Sequence, residues 1–475
     1  MKQKPITGLM MTDKQPQVLY FTEHQQPESA DDRQVLEQLN QDNDAPIVFR
    51  GNPDMKQAPV YLGISKDFRA SYYIGACWLK ESEIAAAVTP KMELDYIEML
   101  RIALAVDTEH EINYFSQCYG IDFDRPSIPL NQNINYLTPL LIAHFIAITE
   151  KIIRKGLKKG YVYREENLQN KIKGKICVSK TVKENIIKCR LNKNICAFQE
   201  FTVDIPENRL LKKALLFCKK MITVSKSFTK HNAGQTLQKK LTHILLSFET
   251  VSEYIRPAEI KQFHANKLFS HYKMALQLAK LILRRYDYSI NNISTFEQKT
   301  VPYWIDMSGL YELYVYDQLI KTYGKENIGF QVSGYENAAV DFIKKDERLI
   351  IDAKYKPQYA HSDAGMLDDI RQISGYARDK KILKALGIGE HSHNEIKCLI
   401  IHPELQNKTE SNNNPSPNEN KLNERCNIFI NDNDQTLIEQ AAEIKYFRNF
   451  YKIGIPLPYH LSQIMMTSII NDLHY

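Results

Sequence analysis

The chain has 475 residues, is 43% hydrophobic and 25% charged, and carries a formal net charge of +6. That length allows roughly three domains, and the composition is ordinary for a globular protein. The eight cysteines include no C-x-x-C pair, which argues against a zinc ribbon or an iron–sulfur cluster and suits reduced thiols in the cytoplasm. No signal-peptide core, no apolar run of membrane-spanning length and no G-x-x-x-x-G-K-[ST] loop is present, so we expect a cytoplasmic protein without its own nucleotide-driven motor.

Residues 1–136 are predicted to form a mainly β N-terminal domain that binds a partner. Its first 55 residues are polar and irregular, and their role is left open. Clear strand patterns follow at 72–79 and 84–88, and apolar residues at helical spacing occupy 94–106. Nothing in this region resembles catalytic chemistry, so we assign it to partner or substrate contact.

Residues 137–300 are predicted to form a helical middle domain with a basic β insert. Residues 151–193 hold 14 Lys or Arg against 3 acidic residues, a local balance of +11, whereas the remainder of the chain is at −5. Lys171, Lys173 and Lys175 alternate with other residues, which predicts an exposed strand carrying a row of lysines. Such a row suits contact with a DNA phosphate backbone, or it protects a solvated sheet edge against unwanted pairing.

Residues 301–475 are predicted to form a C-terminal α/β domain, which makes the whole chain a multidomain α+β protein. The predicted order is an amphipathic helix at 307–323, a strand at 328–332, a hairpin, a helix at 367–383 and a buried strand at 396–401. Further strands are predicted at 426–430 and 446–453, and a helix at 459–473. The polar segment 406–425 is predicted to be disordered.

The hairpin is the strongest chemical signal in the chain. Its apolar strands, 339–343 and 349–353, flank a charged turn, and Asp352 interrupts the second strand. A buried carboxylate is costly unless it is paired or binds a metal. Asp341, Asp352 and Lys354 are predicted to converge, so that the carboxylates hold a hard divalent cation and the lysine orients water or offsets negative charge.

Two neighbouring helices carry candidate supporting residues. Glu312, on the helix before the hairpin, is predicted either to reach the same metal or to remain an ordinary surface glutamate. Gln372 and Tyr376 lie four residues apart on the helix after it, near one face with Asp368. They are predicted to line the site or contact DNA, with ordinary helix surface as the alternative.

These residues resemble the PD-(D/E)XK nuclease core and, more specifically, the McrC family of McrBC modification-dependent restriction systems. The resemblance rests on Val-Asp-Phe-Ile at 340–343, Leu-Ile-Ile-Asp-Ala-Lys-Tyr-Lys at 349–356 and Gln-x-x-x-Tyr at 372–376. It extends to Ile-Lys-Gly-Lys-Ile at 172–176, Phe-Gln-Glu-Phe-Thr-Val-Asp at 198–204, Glu-Asn-Arg-Leu-Leu-Lys-Lys-Ala-Leu at 207–215 and Met-Ser-Gly-Leu-Tyr-Glu-Leu-Tyr-Val at 307–315. It thus covers roughly residues 60–400.

The resemblance implies metal ligation by Asp341 and Asp352 and a catalytic role for Lys354. Val340 stands where the family has proline, a departure that affects no ligand. It further implies Mg²⁺ as cofactor, a McrB-like AAA+ GTPase as partner, whose GTP hydrolysis this chain stimulates, and double-stranded DNA with a modified cytosine as substrate. Two rival hypotheses remain: a non-catalytic activator of the motor with a vestigial nuclease core, and a stand-alone DNA-repair nuclease.

Overall fold

The computed structural model describes two compact units. The first comprises residues 1–137 and 294–475, and the second comprises residues 138–293. Within them the structure describes residues 16–27, 29–41, 62–65, 67–92, 96–103, 109–122, 125–130, 136–224, 232–255, 270–285, 299–363, 365–389, 396–404 and 436–458. The predicted segments at 406–425, 426–430 and 459–473 lie outside these ranges, as do residues 1–15 and 42–61.

The first unit contains a five-stranded sheet, called here the N-terminal sheet. Its strands, in spatial order, are Gln17–Thr22, Ile84–Thr89, Tyr73–Lys80, Tyr303–Asp306 and Tyr119–Ile121. The first two strands run parallel and the other neighbouring pairs are antiparallel. Helices Ala30–Gln41, Tyr96–Ala103 and Glu109–Gln117 belong to the same segment, and a small pairing joins Ile128–Pro129 to Lys299–Thr300.

The strand Tyr303–Asp306 departs from the predicted domain division. The sequence places it in the C-terminal domain, whereas it pairs on both sides with strands of the N-terminal sheet. This strand has only four residues, of which Tyr303 and Ile305 are buried. Such a short alternating pattern is compatible with any sheet that offers a neighbouring strand on each side. The three-domain division of the chain stays a prediction.

A six-stranded sheet, called here the C-terminal sheet, also lies in the first unit. Its order is Ile328–Ser333, Ala339–Lys344, Leu349–Ala353, Lys397–Pro403, Phe450–Ile455 and Ala442–Glu443. The two pairings that involve Lys397–Pro403 are parallel. In the first of them, helices between Leu349–Ala353 and Lys397–Pro403 return the chain in the same direction. The remaining pairings are antiparallel.

Helices cover both faces of the C-terminal sheet. On one face, Tyr316 of helix Met307–Tyr323 stacks on Phe330 and Phe342, with ring centroids 4.6 and 6.1 Å away. On the other face, Ile350 packs in a core with residues of helices Leu367–Tyr376 and Lys380–Ala385. The sequence predicts one helix over 367–383, and this is wrong. The helix is interrupted at 377–379, where Asp379 accepts a hydrogen bond from the Lys381 amide and begins a new helix.

The second unit is helical with a three-stranded basic sheet. Its helices are Leu137–Lys155, Pro206–Val224, Asn232–Leu246 and Ser270–Arg285. The sheet order is Gly160–Gln169, Lys193–Thr202 and Lys175–Ile176, all antiparallel, with a short helix Val178–Thr181 and a π turn Val182–Ile186 beside it. The chain is therefore an α+β protein with several sheets, as predicted. None of the described helices is long and apolar enough to span a bilayer.

Candidate active site

The hairpin Ala339–Lys344 and Leu349–Ala353 forms the centre of the candidate site, because its strands separate where the two aspartates lie. Backbone pairing extends from Lys344 and Leu349 only as far as Phe342 and Ile351. Beyond that point the Asp341 side chain replaces the backbone partner, and its Oδ2 accepts a 2.9 Å hydrogen bond from the Ala353 amide. The splayed end of the hairpin thus brings the Asp341 carboxylate to the strand that carries Asp352.

Lys354 completes the cluster at the end of the second hairpin strand. Its amide donates a 2.8 Å hydrogen bond to the Ile401 carbonyl, which fixes the backbone beside the parallel neighbour strand. Its Nζ lies 2.8 Å from Asp352 Oδ2 and 3.2 Å from Gln372 Oε1. Gln372 in turn donates a 3.0 Å hydrogen bond to the Tyr376 hydroxyl. The structure therefore brings together four of the residues named from the sequence, with Tyr376 behind them.

Glu312 is connected to the cluster through a bridging residue, Gln331, which the sequence did not reveal. Gln331 Nε2 donates to Glu312 Oε2 at 2.8 Å and lies 3.4 Å from Asp341 Oδ1. Glu312 Oε2 also accepts a short hydrogen bond from the Tyr114 hydroxyl. Gln331 has a left-handed backbone with φ 48°, which is rare for a residue with a side chain and costs about 1–3 kcal/mol. Its only sequence signal is a polar residue within a strand.

Like charge and burial dominate the electrostatics of the three carboxyl groups. Burial, followed by the charges of Glu312 and Asp352, raises the pKa of Asp341 well above its usual value. Burial also raises the pKa of Asp352, although the Lys354 ammonium opposes the shift. Burial, partly offset by the Tyr114 hydrogen bond, raises the pKa of Glu312 to about 7. Binding of a proton or a cation to these carboxyl oxygens is therefore favoured.

Lys354 remains a cation in this setting. Burial disfavours its charge, but Asp352 and Asp341 outweigh that effect and raise its pKa above the usual value for lysine. An ammonium at neutral pH cannot accept a proton. The chemistry open to Lys354 is therefore stabilisation of negative charge and orientation of a ligand by hydrogen bonding, rather than proton abstraction.

Asp369 is a second site residue that the sequence analysis missed. Its carboxylate accepts hydrogen bonds from Lys356 Nζ, at 2.7 Å, and from the Tyr359 hydroxyl, and it lies 4.0 Å from Lys354 Nζ. Asp368, which the helical spacing grouped with Gln372 and Tyr376, is instead exposed and pairs with Arg371. The two aspartates are adjacent in sequence, so a small error in helix phase selects the wrong one.

The three predicted DNA-binding lysines lie in the basic sheet of the second unit. The predicted row of lysines on a single strand is wrong, because only Lys175 is in a strand, the two-residue Lys175–Ile176. Lys171 and Lys173 lie in the connection that follows the left-handed turn at Asn170. All three are exposed, and Lys173 also pairs with Glu200 at 3.4 Å. Their contact with DNA stays a prediction.

The donor set fits a hard divalent cation. Asp341 and Asp352 present carboxylate oxygens, the ligands that Mg²⁺ prefers. Asp352 Oδ2 is buried and receives no geometrically complete hydrogen bond, although Lys354 Nζ lies nearby. Across the described ranges, no group of three His, Cys, Asp or Glu side chains is arranged to hold an ion. A metal here would therefore be held by the two aspartates, and ligation by Glu312, which is engaged with Gln331 and Tyr114, stays a prediction.

Fold and site together define a multidomain α+β protein with a carboxylate–lysine cluster at the open end of a β-hairpin. A family model described as "McrBC 5-methylcytosine restriction system component" matches residues 68–382. That match spans 315 of the 475 residues, and the chain belongs to this family.

The chain is also similar to two solved structures from Thermococcus gammatolerans. One is a half-complex from a tetradecameric assembly of McrB AAA+ hexamers with bound McrC, at 15% identity and a TM-score of 0.38, over 93% of this chain and 95% of that chain. The other is the McrBC complex, at 15% identity and a TM-score of 0.29, over 64% of this chain and 88% of that chain. At these TM-scores the likenesses decide neither fold nor partner. No curated protein matches.

Proposed function

We propose that this chain is the Mg²⁺-dependent DNA endonuclease subunit of a McrBC-type restriction system. The observation that carries the proposal is the convergence of Asp341, Asp352 and Lys354 at one end of the hairpin, in a chain of the McrBC family. Two carboxylates and an ammonium are the groups that metal-assisted phosphodiester hydrolysis needs. The cluster and its neighbouring helices form a core of the PD-(D/E)XK kind.

Each residue of the cluster has a distinct task in this proposal. Asp341 and Asp352 would hold Mg²⁺, which when bound supplies Lewis acidity toward the phosphate and makes water a better nucleophile. Lys354, held by Asp352 and Gln372, presents its ammonium where negative charge develops on the phosphate. Gln331 keeps Glu312 and Asp341 close by placing an amide donor between two carboxyl groups.

The partners in this proposal follow from the family. McrBC systems restrict DNA that contains 5-methylcytosine, and the substrate proposed here is double-stranded DNA of that kind. A McrB-like AAA+ GTPase is the proposed motor, and this chain would stimulate its GTP hydrolysis. Exposed Lys171, Lys173 and Lys175 are proposed to contact the phosphate backbone, which predicts weaker binding at higher salt.

The test is a cleavage assay with the full chain, its partner GTPase, GTP and Mg²⁺, on methylated and unmethylated duplexes. We expect cleavage of methylated DNA by the wild type and none by Asp352→Ala. Glu347→Ala, which alters a carboxylate at the opposite, turn end of the hairpin, should leave cleavage intact. Equal cutting by the wild type and Asp352→Ala would refute the site assignment. If neither protein cuts but both stimulate GTP hydrolysis, the chain is an activator of the motor and not a nuclease.

A further inference from the structure

Tyr355, which lies between Lys354 and Lys356, is held by two residues from the N-terminal segment of the chain. Lys91 Nζ donates a 2.5 Å hydrogen bond to the Tyr355 carbonyl and also lies 4.0 Å from the centre of the Tyr355 ring. The Tyr355 side chain also lies beside the Glu23 carboxyl group. The backbone that carries Lys354 is therefore fixed from a point 264 residues away in sequence.

The parallel pairing of the N-terminal sheet creates this contact. Gln17–Thr22 and Ile84–Thr89 run side by side, with Thr22 paired to Thr89, so the residues just after both strands emerge at the same edge. There the Lys91 amide donates a 2.9 Å hydrogen bond to Glu23 Oε2. Glu23 thus holds the segment that carries Lys91, and Lys91 holds the segment that follows strand Leu349–Ala353.

Glu23 and Lys91 are polar at positions where packing alone would be served by apolar side chains. Glu23 is only 1% exposed, its Oε1 accepts no hydrogen bond, and burial raises its pKa. Burial likewise lowers the pKa of Lys91. Burying a carboxyl group without a full set of hydrogen bonds costs free energy that an apolar side chain of similar volume would not. A half-buried ammonium that donates to a backbone carbonyl instead fixes the position of that carbonyl.

We propose that Glu23 and Lys91 are positioning residues for Lys354, acting through the Tyr355 backbone. This inference rests on the proposed nuclease function. The N-terminal segment then belongs to the catalytic machinery rather than serving only as a partner-binding domain. Loss of either residue lets the chain after Asp352 shift, so Lys354 no longer holds its place beside Asp352 and Gln372. Misplacement of a catalytic group by about 1 Å can cost about a hundredfold in rate.

The first measurement is cleavage kinetics of the full complex with Lys91→Met and Lys91→Arg. We expect Lys91→Met to lower kcat by about tenfold to a hundredfold, with the half-saturating DNA concentration changed by less than about twofold. Lys91→Arg keeps a donor for the Tyr355 carbonyl and should recover part of the loss. Lys344→Met is the matched control, because Lys344 is a buried lysine over the Tyr323 ring with acidic partners at the turn end of the hairpin. It should leave kcat unchanged.

The second measurement is hydrogen–deuterium exchange of the free chain, which does not depend on activity. Lys91→Met should speed exchange in peptides spanning 352–358 and leave those spanning 328–344 unchanged. If Lys91→Met keeps the wild-type kcat and its exchange in 352–358 is unchanged, the inference is overturned. Equally faster exchange in both sets of peptides would also overturn it. If the wild type fails to cut DNA, the nuclease proposal is refuted, and selective loosening of 352–358 still supports the positioning contact.

Discussion

Glu312→Gln is expected to make the metal-free protein more stable, although the residue lies in the candidate active site. Burial raises the pKa of Glu312 from 4.5 to about 7. In an unfolded chain the group ionises near its ordinary value, so the folded state binds its proton more tightly. The cost to stability is absent below pH 4.5, grows as pH rises to 7, and then stays near its upper bound of about 3 kcal/mol. A glutamine carries no charge and incurs no such cost.

The assay is urea denaturation of wild type and Glu312→Gln between pH 5 and pH 8.5, with EDTA present to exclude metal. We expect the midpoint of the variant to exceed that of the wild type at pH 8, with the gap closing as pH approaches 5. The amide oxygen can still accept from Tyr114 and Gln331, so those hydrogen bonds are retained. Glu326→Gln, at an exposed position, is the control and should show no such gap. A destabilised variant at pH 8, or a gap independent of pH, would refute the reasoning.

Three further outcomes are expected. Lys354→Met should lower cleavage by at least about a hundredfold while far-UV circular dichroism is unchanged, because only the ammonium at the site is lost; retained cleavage would contradict its role. Asp369→Asn should lower the free energy of unfolding, measured by urea denaturation, by about 1–3 kcal/mol, because the buried Asp369 carboxylate accepts charge-assisted hydrogen bonds. The control Asp368→Asn, at an exposed position, should have little effect. Gly75→Ala should unfold or severely destabilise the chain, since φ at Gly75 is +140° and a Cβ would lie 2.2 Å from a backbone oxygen of the adjacent strand. The control Gly389→Ala has open space around the new Cβ, so its thermal unfolding midpoint should match that of the wild type.

Local sequence patterns determined the secondary structure around the site. The helix Met307–Tyr323 has the predicted bounds, and the hairpin strands lie within one residue of theirs. Hydrophobic periodicity and turn composition are local properties, so a single sequence carries them. The convergence of Asp341, Asp352 and Lys354 was also predictable, because a hairpin joins neighbouring strands and leaves few registers to choose from.

Helix phase and strand termination were harder to predict. The choice between Asp368 and Asp369 depends on how the helix rotates against the sheet, and periodicity fixes that rotation only roughly. The break at 377–379 depends on Asp379, whose carboxylate also accepts a hydrogen bond from the distant Tyr335 amide. The left-handed backbone of Gln331 likewise occurs where its side-chain amide contacts Glu312 and Asp341, two residues whose proximity no local pattern shows.

By itself, the sequence predicted a class of chemistry from two carboxylates and a lysine on a buried hairpin, in a chain of mixed α and β composition. Only the tertiary structure decided which distant residues support that cluster. Tyr303–Asp306 joined the N-terminal sheet, and Lys91, whose amide donates to Glu23, reached the backbone after strand Leu349–Ala353. Such contacts join residues hundreds of positions apart. They depend on the combined packing of whole sheets, which no local pattern in the chain encodes.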